Sequence, residues 1–291
     1  MADGLAHPEF LVETDELQRQ LGDPNLVVLD CTTHLIPDPK ITYAVKPGHE
    51  DFEKGHISGA QFVDLQADLS AKHPRLRFMM PGPEEFAAAM GRFGVGDKSR
   101  VVLYSTTTPQ WAARVWWMLR NYGFDNAAVL NGGFPKWARE RRPVETGSAK
   151  PRPPAKFVVR EDRELMVGQE AVKGAIGDAA ICTINALSRE QHAGTGGNNY
   201  GRPGRIAGSV NVPAASLIDA TTGTFLPASE IRAKFDAAGA FGRRAITYCG
   251  GGIAASTDAL ALVILGHPDV RLYDASMSEW APDPSLPMET G

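Results

Sequence analysis

The feature that most constrains this chain is an internal repeat, because the second half of the sequence returns to markers of the first. The run Gly55-His-Ile-Ser-Gly-Ala60 returns as Gly204-Arg-Ile-Ala-Gly-Ser209. Three pairs of equivalent residues lie 149, 144 and 143 positions apart, namely Ile57 and Ile206, Ser105 and Cys249, and Trp137 and Trp280. Several markers at a near-constant separation indicate two copies of one fold. A length of 291 residues is also sufficient for two domains.

Each copy alternates short apolar runs with longer helical patterns. In the first copy, Leu26–Asp30 and Arg100–Tyr104 have the pattern of buried strands, whereas Pro83–Phe93 and Trp111–Tyr122 have that of helices. This alternation predicts an α/β fold of two tandem domains, each a mainly parallel sheet flanked by helices. A proline-rich linker over residues 143–157 separates a predicted first domain, residues 9–142, from a second, residues 158–287.

Two segments of the first copy have weaker patterns. Phe10–Leu21 is apolar at helical intervals, and Thr14 is a suitable N-cap, so a short amphipathic helix is expected there. The residues between Asp30 and Gly55 are polar and rich in proline and charge. They predict a loop.

The two copies differ most at the end of one strand. In the second copy, Cys249-Gly-Gly-Gly252 lies between a predicted strand, Ala245–Tyr248, and a predicted helix, Ala254–Leu265. Glycines allow the backbone to curl so that N–H groups converge on one point, where the helix N-terminus also stabilises negative charge. The first copy has Ser105-Thr-Thr-Thr-Pro109 instead, with no thiol and a proline that lacks an N–H. The pattern favours one active site, at Cys249; the alternative is that Cys249 is a small buried core residue.

Composition excludes several classes of function. A net charge of −4 and a pI near 6.0 give no electrostatic reason to expect nucleic acid or a membrane surface as a partner. The sequence lacks an apolar run of 18 residues, and its start lacks the basic and apolar regions of a signal peptide, so a cytoplasmic protein is expected. Cys31, Cys182 and Cys249 form no CxxC pair, which argues against disulfides and a structural zinc site. Cys31 and Cys182 lie at or within predicted buried strands and are expected to be inert.

Taken together, these motifs resemble the tandem-domain rhodanese family, the thiosulfate and 3-mercaptopyruvate sulfurtransferases. The similarity covers nearly the whole chain. It rests on Asn25-Leu-Val-Val-Leu-Asp30, Gly55-His-Ile-Ser-Gly-Ala60, Arg114-Val-Trp-Trp117, Asn131-Gly-Gly-Phe-Pro-Lys-Trp137, Gly204-Arg-Ile-Ala-Gly-Ser-Val-Asn-Val-Pro213, Tyr248-Cys-Gly-Gly-Gly252 and Ser276-Met-Ser-Glu-Trp-Ala-Pro-Asp-Pro284.

The resemblance implies that Cys249 takes sulfane sulfur from a donor as a persulfide and passes it to a thiophilic acceptor. The implied partners are a small-molecule donor and a thiol or cyanide acceptor, with no cofactor and no metal. Backbone N–H groups would hold the terminal sulfur, and the residues that would supply them are Gly250, Gly251, Gly252, Ile253 and Ala254.

Departures from the family pattern bear on the donor. Thiosulfate-type enzymes have basic residues directly after the cysteine, where this chain has Gly250 and Gly251. Mercaptopyruvate-type enzymes have a serine at the position of Gly251, and arginines are expected where Leu187 and Gln191 stand. Loop length and the two outer glycines favour the mercaptopyruvate type, but the donor stays open between the two.

Three other residues are candidates for a place in the site. Arg202 and Arg205 could bind the anionic donor, or they could be solvated or structural charges. His56 matches a histidine of the mercaptopyruvate-type enzymes and could be accessory to catalysis, or it could be a hydrogen-bonded structural residue.

Two competing functions follow from the same loop. Cysteine-dependent phosphatases use a similar loop but need an arginine at its end, where this chain has Ala254, Ala255 and Ser256. The other alternative is a non-catalytic rhodanese-like module, used for binding or for sulfur relay with a protein partner.

Overall fold

The structure is a computed structural model and describes residues 4–38, 42–198 and 200–291. The first half contains, in chain order, a 3-10 helix Pro8–Phe10, β1 Leu11–Val12, α1 Thr14–Gln20, β2 Leu26–Asp30, β3 Thr33–Asp38, β4 Thr42–Pro47, α2 His49–Lys54, β5 His56–Ile57, β6 Gln61–Phe62, α3 Leu65–Asp68, α4 Pro83–Arg92, β7 Arg100–Tyr104, α5 Gln110–Asn121, β8 Ala127–Leu130, α6 Gly133–Arg139 and β9 Val144–Glu145. The second half contains β10 Met166–Val167, α7 Gln169–Ala175, β11 Ile181–Asn185, α8 Arg189–Ala193, β12 Arg205–Ile206, β13 Val210–Asn211, a 3-10 helix Ala214–Leu217, α9 Ala228–Ala237, β14 Arg244–Tyr248, α10 Ala254–Ile264, β15 Val270–Tyr273, α11 Ser276–Trp280 and β16 Met288–Glu289.

Each half is built on a parallel sheet of the same topology. The strand order is β1-β8-β7-β2-β6 in the first sheet and β10-β15-β14-β11-β13 in the second. All neighbouring strands in both sheets are parallel. This equivalence, strand by strand, confirms the predicted fold of two tandem α/β domains.

The repeat extends to individual contacts. The Tyr104 hydroxyl accepts a hydrogen bond from the Ile57 amide at 3.3 Å, and the Tyr248 hydroxyl accepts one from the Ile206 amide at 3.1 Å. Each tyrosine ends a central strand and ties it to the turn that begins with the repeated Gly-x-Ile motif. The two copies therefore share the same anchor between a central strand and this turn.

The interface between the halves is part of the hydrophobic core. Helices α5 and α10 pack against each other, and one buried cluster includes residues from both halves. Trp111, Trp116 and Trp117 on α5 are at most 2% exposed and are part of this core. In the part of the chain that the structure describes, none of the helices is long and apolar enough to cross a membrane.

Two predictions for the first copy are wrong. The helix expected over Phe10–Leu21 begins only at Thr14, with Glu13 as its N-cap residue. Leu11 and Val12 instead form an edge strand that pairs in parallel with β8. The expected loop after Asp30 contains the antiparallel hairpin β3–β4, whose strands are only partly buried and so lack an apolar alternation.

The proline-rich segment lies along the first half. Strand β9, which falls inside the predicted linker, pairs with β5. Further on, the Ala155 amide donates to the Gly91 carbonyl at 2.9 Å. A Cβ atom at Gly91 would lie 2.6 Å from the Ala155 carbonyl oxygen, so glycine permits this close approach. The linker boundaries at 143 and 157 stay a prediction.

Candidate active site

Cys249 follows the last residue of β14, and the next helix, α10, begins five residues later at Ala254. The N-cap residue of α10 is Ile253, which has no side chain able to cap the helix. Because the first N–H groups of a helix have no partner within it, they stay free to bind an anion. The thiol residue is therefore joined to an uncapped helix N-terminus by the glycine loop.

Ser276 fixes the shape of this loop. Its hydroxyl oxygen accepts hydrogen bonds from the amides of Cys249, at 3.1 Å, and Gly252, at 3.2 Å, and donates to the Tyr273 carbonyl at 2.7 Å. Ser276 is completely buried and has a left-handed φ of +52°. Such a conformation costs a non-glycine residue about 1–2 kcal/mol. The three hydrogen bonds offset that strain.

Ser276 was missed by sequence reasoning, although a signal was present. The equivalent residue of the first copy is Gly133, whose φ is +54°. A serine at a repeat position that otherwise requires glycine indicates a specific use of the hydroxyl.

The amide groups of the loop do not all face the same way. The Gly252 amide, predicted to hold the terminal sulfur, is bound to Ser276, so that part of the prediction is wrong. The amides of Gly250, Gly251, Ile253 and Ala254 make no hydrogen bond within the described residues. These four N–H groups are available to an anionic sulfur.

The three glycines of the loop differ in whether the surrounding structure requires glycine at their position. A Cβ atom at Gly250 would lie 2.0 Å from the Tyr200 hydroxyl, and one at Gly252 would lie 2.7 Å from the Asp274 carbonyl oxygen. Gly252 also has a left-handed φ of +74°. At Gly251, by contrast, the nearest atom to a Cβ would be Ser278 Oγ at 3.8 Å. Packing therefore requires glycine at 250 and 252, and at 251 it does not.

Cys249 opens into a cavity of about 450 Å³ that both halves of the chain enclose. The first half contributes hairpin β3–β4 and the segment before α4, and the second half contributes the loop and the start of α8. The lining residues are Leu35, Thr42, Tyr43, Val45, Arg75, Arg77, Phe78, Gln110, Leu187, Gln191, Tyr200, Cys249, Gly250, Gly251, Ile253, Ala254 and Ser278. This volume is in the range of small-molecule sites.

The predicted accessory residues lie outside this cavity. Arg202 donates to four backbone carbonyls, those of Trp280, Ala281, Asp283 and Leu286. It also borders a smaller neighbouring pocket of about 210 Å³. Through Nε and Nη2 its guanidinium holds the C-terminal segment in place, and the residue does not line the cavity of Cys249.

Arg205 and His56 occupy the same position in the two copies. Arg205 Nη2 lies 3.4 Å from Glu289 of β16, and His56 Nε2 lies 3.9 Å from Glu145 of β9. The other ring nitrogen of His56 is 2.8 Å from the Phe52 carbonyl oxygen. Both residues are thus part of the equivalent strand pairings, and the structure does not bring either to Cys249.

A buried ion pair joins the two halves directly behind the loop. Arg114 of α5 is completely buried, and its Nη2 atom donates to Asp274 Oδ1 at 2.6 Å. The other carboxylate oxygen, Asp274 Oδ2, accepts from the Met80 amide at 2.7 Å. The backbone carbonyl of Asp274 packs against Gly252, since a Cβ atom at Gly252 would lie 2.7 Å from it. Asp274 therefore links the first half, through its carboxylate, to the active loop, through its backbone.

Comparison with known proteins agrees with this architecture. The rhodanese-like domain family matches residues 13–140 and 188–283. A probable 3-mercaptopyruvate sulfurtransferase of Pseudomonas aeruginosa is 31% identical, over 97% of this chain and 98% of its own. A putative thiosulfate sulfurtransferase, SseB of Mycobacterium tuberculosis, is 31% identical, over 98% of this chain and 99% of its own. The structure of SseA from Escherichia coli, a 3-mercaptopyruvate sulfotransferase, has a TM-score of 0.81 at 30% identity and covers 93% of this chain and 99% of its own.

These matches extend through both copies, so they apply to the whole two-domain arrangement and not to a single shared module. The chain belongs to the rhodanese family and is a tandem-domain sulfurtransferase.

Proposed function

We propose that Cys249 is the nucleophile and persulfide carrier of this sulfurtransferase. The observation that carries the proposal is the position of the thiol in a cavity beside four unpartnered amide groups, at the N-terminus of α10. Backbone N–H groups of this kind stabilise negative charge strongly where bulk water is excluded. Cys31 and Cys182 do not line this cavity. Their thiols donate to the carbonyls of Leu29 and Ala238, and burial raises the pKa of each.

The proposed donor is a small anion of the 3-mercaptopyruvate or thiosulfate kind. The Cys249 thiolate attacks the sulfur to be transferred, which is the thiol sulfur of 3-mercaptopyruvate or the outer sulfur of thiosulfate, and forms an S–S bond. A C–S bond breaks in mercaptopyruvate and leaves the enolate of pyruvate, which then takes up a proton; an S–S bond breaks in thiosulfate and leaves sulfite. An acceptor such as cyanide then attacks the outer sulfur, forms thiocyanate and returns the thiolate.

The phosphatase alternative has less support. The loop from Cys249 to Ala254 contains no arginine to bind phosphoryl oxygens, and one of its amides, that of Gly252, is already bound to Ser276. A cavity of about 450 Å³ around the thiol favours an enzyme over a module that only binds a protein partner. We also infer a cytoplasmic location, because all three cysteines are free thiols and a reducing compartment keeps them so.

The test is sulfur transfer to cyanide with 3-mercaptopyruvate and with thiosulfate, using the wild type and Cys249→Ser. We expect turnover to fall by roughly 10³-fold or more in Cys249→Ser, because the oxygen nucleophile cannot carry a persulfide. Cys31→Ser and Cys182→Ser are matched controls and should keep their turnover. Retained turnover in Cys249→Ser, or a wild type inactive with both donors, would overturn the proposal.

A further inference from the structure

The charges around the active-site cavity come from the copy without the cysteine. Among the described lining residues, the cationic side chains are Arg75 and Arg77, and there is no carboxylate. The second half contributes the neutral side chains of Leu187, Gln191 and Tyr200 on its side of the cavity. An anionic donor that approaches Cys249 therefore meets positive charge only from the first half.

Both guanidinium groups have donors to spare. The Arg75 side chain makes no hydrogen bond or ion pair with any described residue, and Arg77 uses only Nη1, which donates to the Tyr43 carbonyl at 2.6 Å. A guanidinium has five N–H donors in a planar arrangement that suits a carboxylate or another oxyanion. Arg202, by contrast, binds four backbone carbonyls through Nε and Nη2 and lies outside the cavity.

The segment that carries these arginines is held firmly over the active loop. At its end, the Met80 amide donates to Asp274 Oδ2, and the Phe78 carbonyl accepts from Arg114 Nη2 at 2.5 Å. A Cβ atom at Gly252 of the loop would lie 2.7 Å from the Asp274 backbone carbonyl and 2.9 Å from Arg114 Nη1, so both residues of this ion pair pack against the loop. The same buried ion pair thus fixes the arginine segment and the cysteine loop relative to each other.

We propose that Arg75 and Arg77 bind the oxyanion group of the sulfur donor and so determine donor specificity from the non-catalytic copy. This inference rests on the proposed function of Cys249. It assigns the second copy the sulfur chemistry and the first copy the recognition of charge. A donor that lacks an oxyanion group gains nothing from these two residues.

The experiment compares persulfide formation on Cys249 with three donors: 3-mercaptopyruvate, its methyl ester and thiosulfate. The variants are Arg75→Ala, Arg77→Ala, the double variant and Arg77→Lys, with Lys72→Ala as a control that is exposed, nearby and outside the cavity. We expect kcat/KM for 3-mercaptopyruvate to fall at least about tenfold in each alanine variant, mainly through KM. The methyl ester should react equally with all variants, and Arg77→Lys should recover part of the loss.

The thiosulfate arm distinguishes the two oxyanions. If the losses for thiosulfate match those for 3-mercaptopyruvate, the arginines bind either group, and if they are confined to 3-mercaptopyruvate, the subsite is specific for a carboxylate. Either result supports the proposal. Unchanged kcat/KM in the double variant, or an equal loss with the methyl ester, would overturn it.

The outcome also separates this inference from the proposed function. Mass spectrometry detects the added sulfur on Cys249 directly. If the wild type forms no Cys249 persulfide with any donor, the proposed function fails. If the persulfide forms equally in wild type and double variant, only the role of Arg75 and Arg77 fails.

Discussion

The loop after β7 and the loop after β14 occupy the same position in two copies of one fold, yet only the second opens to a usable cavity. In the first copy, the Ser105 hydroxyl donates to the Thr108 carbonyl at 2.5 Å, and the pocket beside it holds about 10 Å³. In the second copy, Cys249 opens into about 450 Å³. The parallel sheets and the tyrosine anchors are alike in both. The repeat therefore determines the shared fold, and the residues after the central strand determine whether a copy has a cavity for a reaction.

The two halves also contribute unequally to each other's sites. The Phe225 amide of the second half donates to Asn131 of the first at 2.9 Å, just as the Met80 amide donates to Asp274. The small pocket of the first copy is lined by Ser105, Gly132 and Gly133 of the first half and by Gly223 of the second. Equivalent contacts between the halves are thus found beside a cavity of about 450 Å³ at Cys249 and beside a pocket of about 10 Å³ at Ser105.

The largest effect on the free energy of unfolding is expected at Asp274, which is charged and paired with Arg114, whereas its equivalent in the first copy, Asn131, is neutral. Asp274→Asn leaves Arg114 buried without a counter-charge, and we expect it to lower the free energy of unfolding by about 3–5 kcal/mol. The measurement is urea denaturation at neutral pH. Asp125→Asn, which removes a partly exposed partner of Arg163, should change it by less than about 1 kcal/mol. Similar effects of the two substitutions would contradict the role given to Asp274.

Glycine substitutions test whether the second loop needs all three of its glycines. Gly252→Ala forces a side chain into a left-handed conformation, at about 1–2 kcal/mol, and against Asp274 as well. Gly251→Ala meets open space and should stay within about 0.5 kcal/mol of wild type. We expect the first to lose both stability and sulfur transfer and the second to keep both, as measured by thermal unfolding and turnover. Equal losses at both positions would contradict the packing argument.

A pH experiment uses another difference between the copies, Asp30 in the first where the second has Asn185. Burial raises the pKa of Asp30 to about 6. Hydrogen bonds from Thr32 and the charge of the nearby His56 oppose this rise. A raised pKa stabilises the protein below the unfolded-state value near 4, and this stabilisation is lost as the pH rises through about 6, by roughly 3 kcal/mol in total.

Asp30→Asn removes this titrating group. We expect the free energy of unfolding of the wild type to fall more between pH 4 and pH 7 than that of Asp30→Asn, and urea denaturation across this range measures it. Asp258 is completely buried and has no hydrogen-bond partner among the described residues, and burial raises its pKa as well. Asp258 is present in both proteins, so its contribution cancels in the difference. Parallel pH profiles of the two proteins would rule out the assignment to Asp30.

The last substitution is expected to leave sulfur transfer unchanged. Ser105→Cys in a Cys249→Ser background places a thiol at the equivalent position of the first copy, where the pocket holds only about 10 Å³ and Pro109 offers no N–H. We expect no recovery of sulfur transfer to cyanide. Measurable turnover would mean that the strand-end position alone suffices and that the loop and cavity contribute little.

Much of this arrangement could be predicted from the sequence, because its determinants are local. The alternation of apolar runs and helical patterns specifies α/β domains, and the repeated motifs specify two of them. The position of Cys249 before three glycines and a helix start also indicates a loop suited to an anion. These signals lie within short stretches, where spacing and residue type are sufficient.

What only the tertiary structure decided depends on residues far apart in the chain. Arg75 and Arg77 reach the cavity because hairpin β3–β4 and the Arg114–Asp274 ion pair place their segment over a loop of the other half. Arg202 and Arg205, nearer to Cys249 in sequence, are instead committed to backbone carbonyls and to Glu289. Sequence shows which side chains carry charge, but the free energy of packing decides which of those charges are already paired and which remain free to bind a ligand.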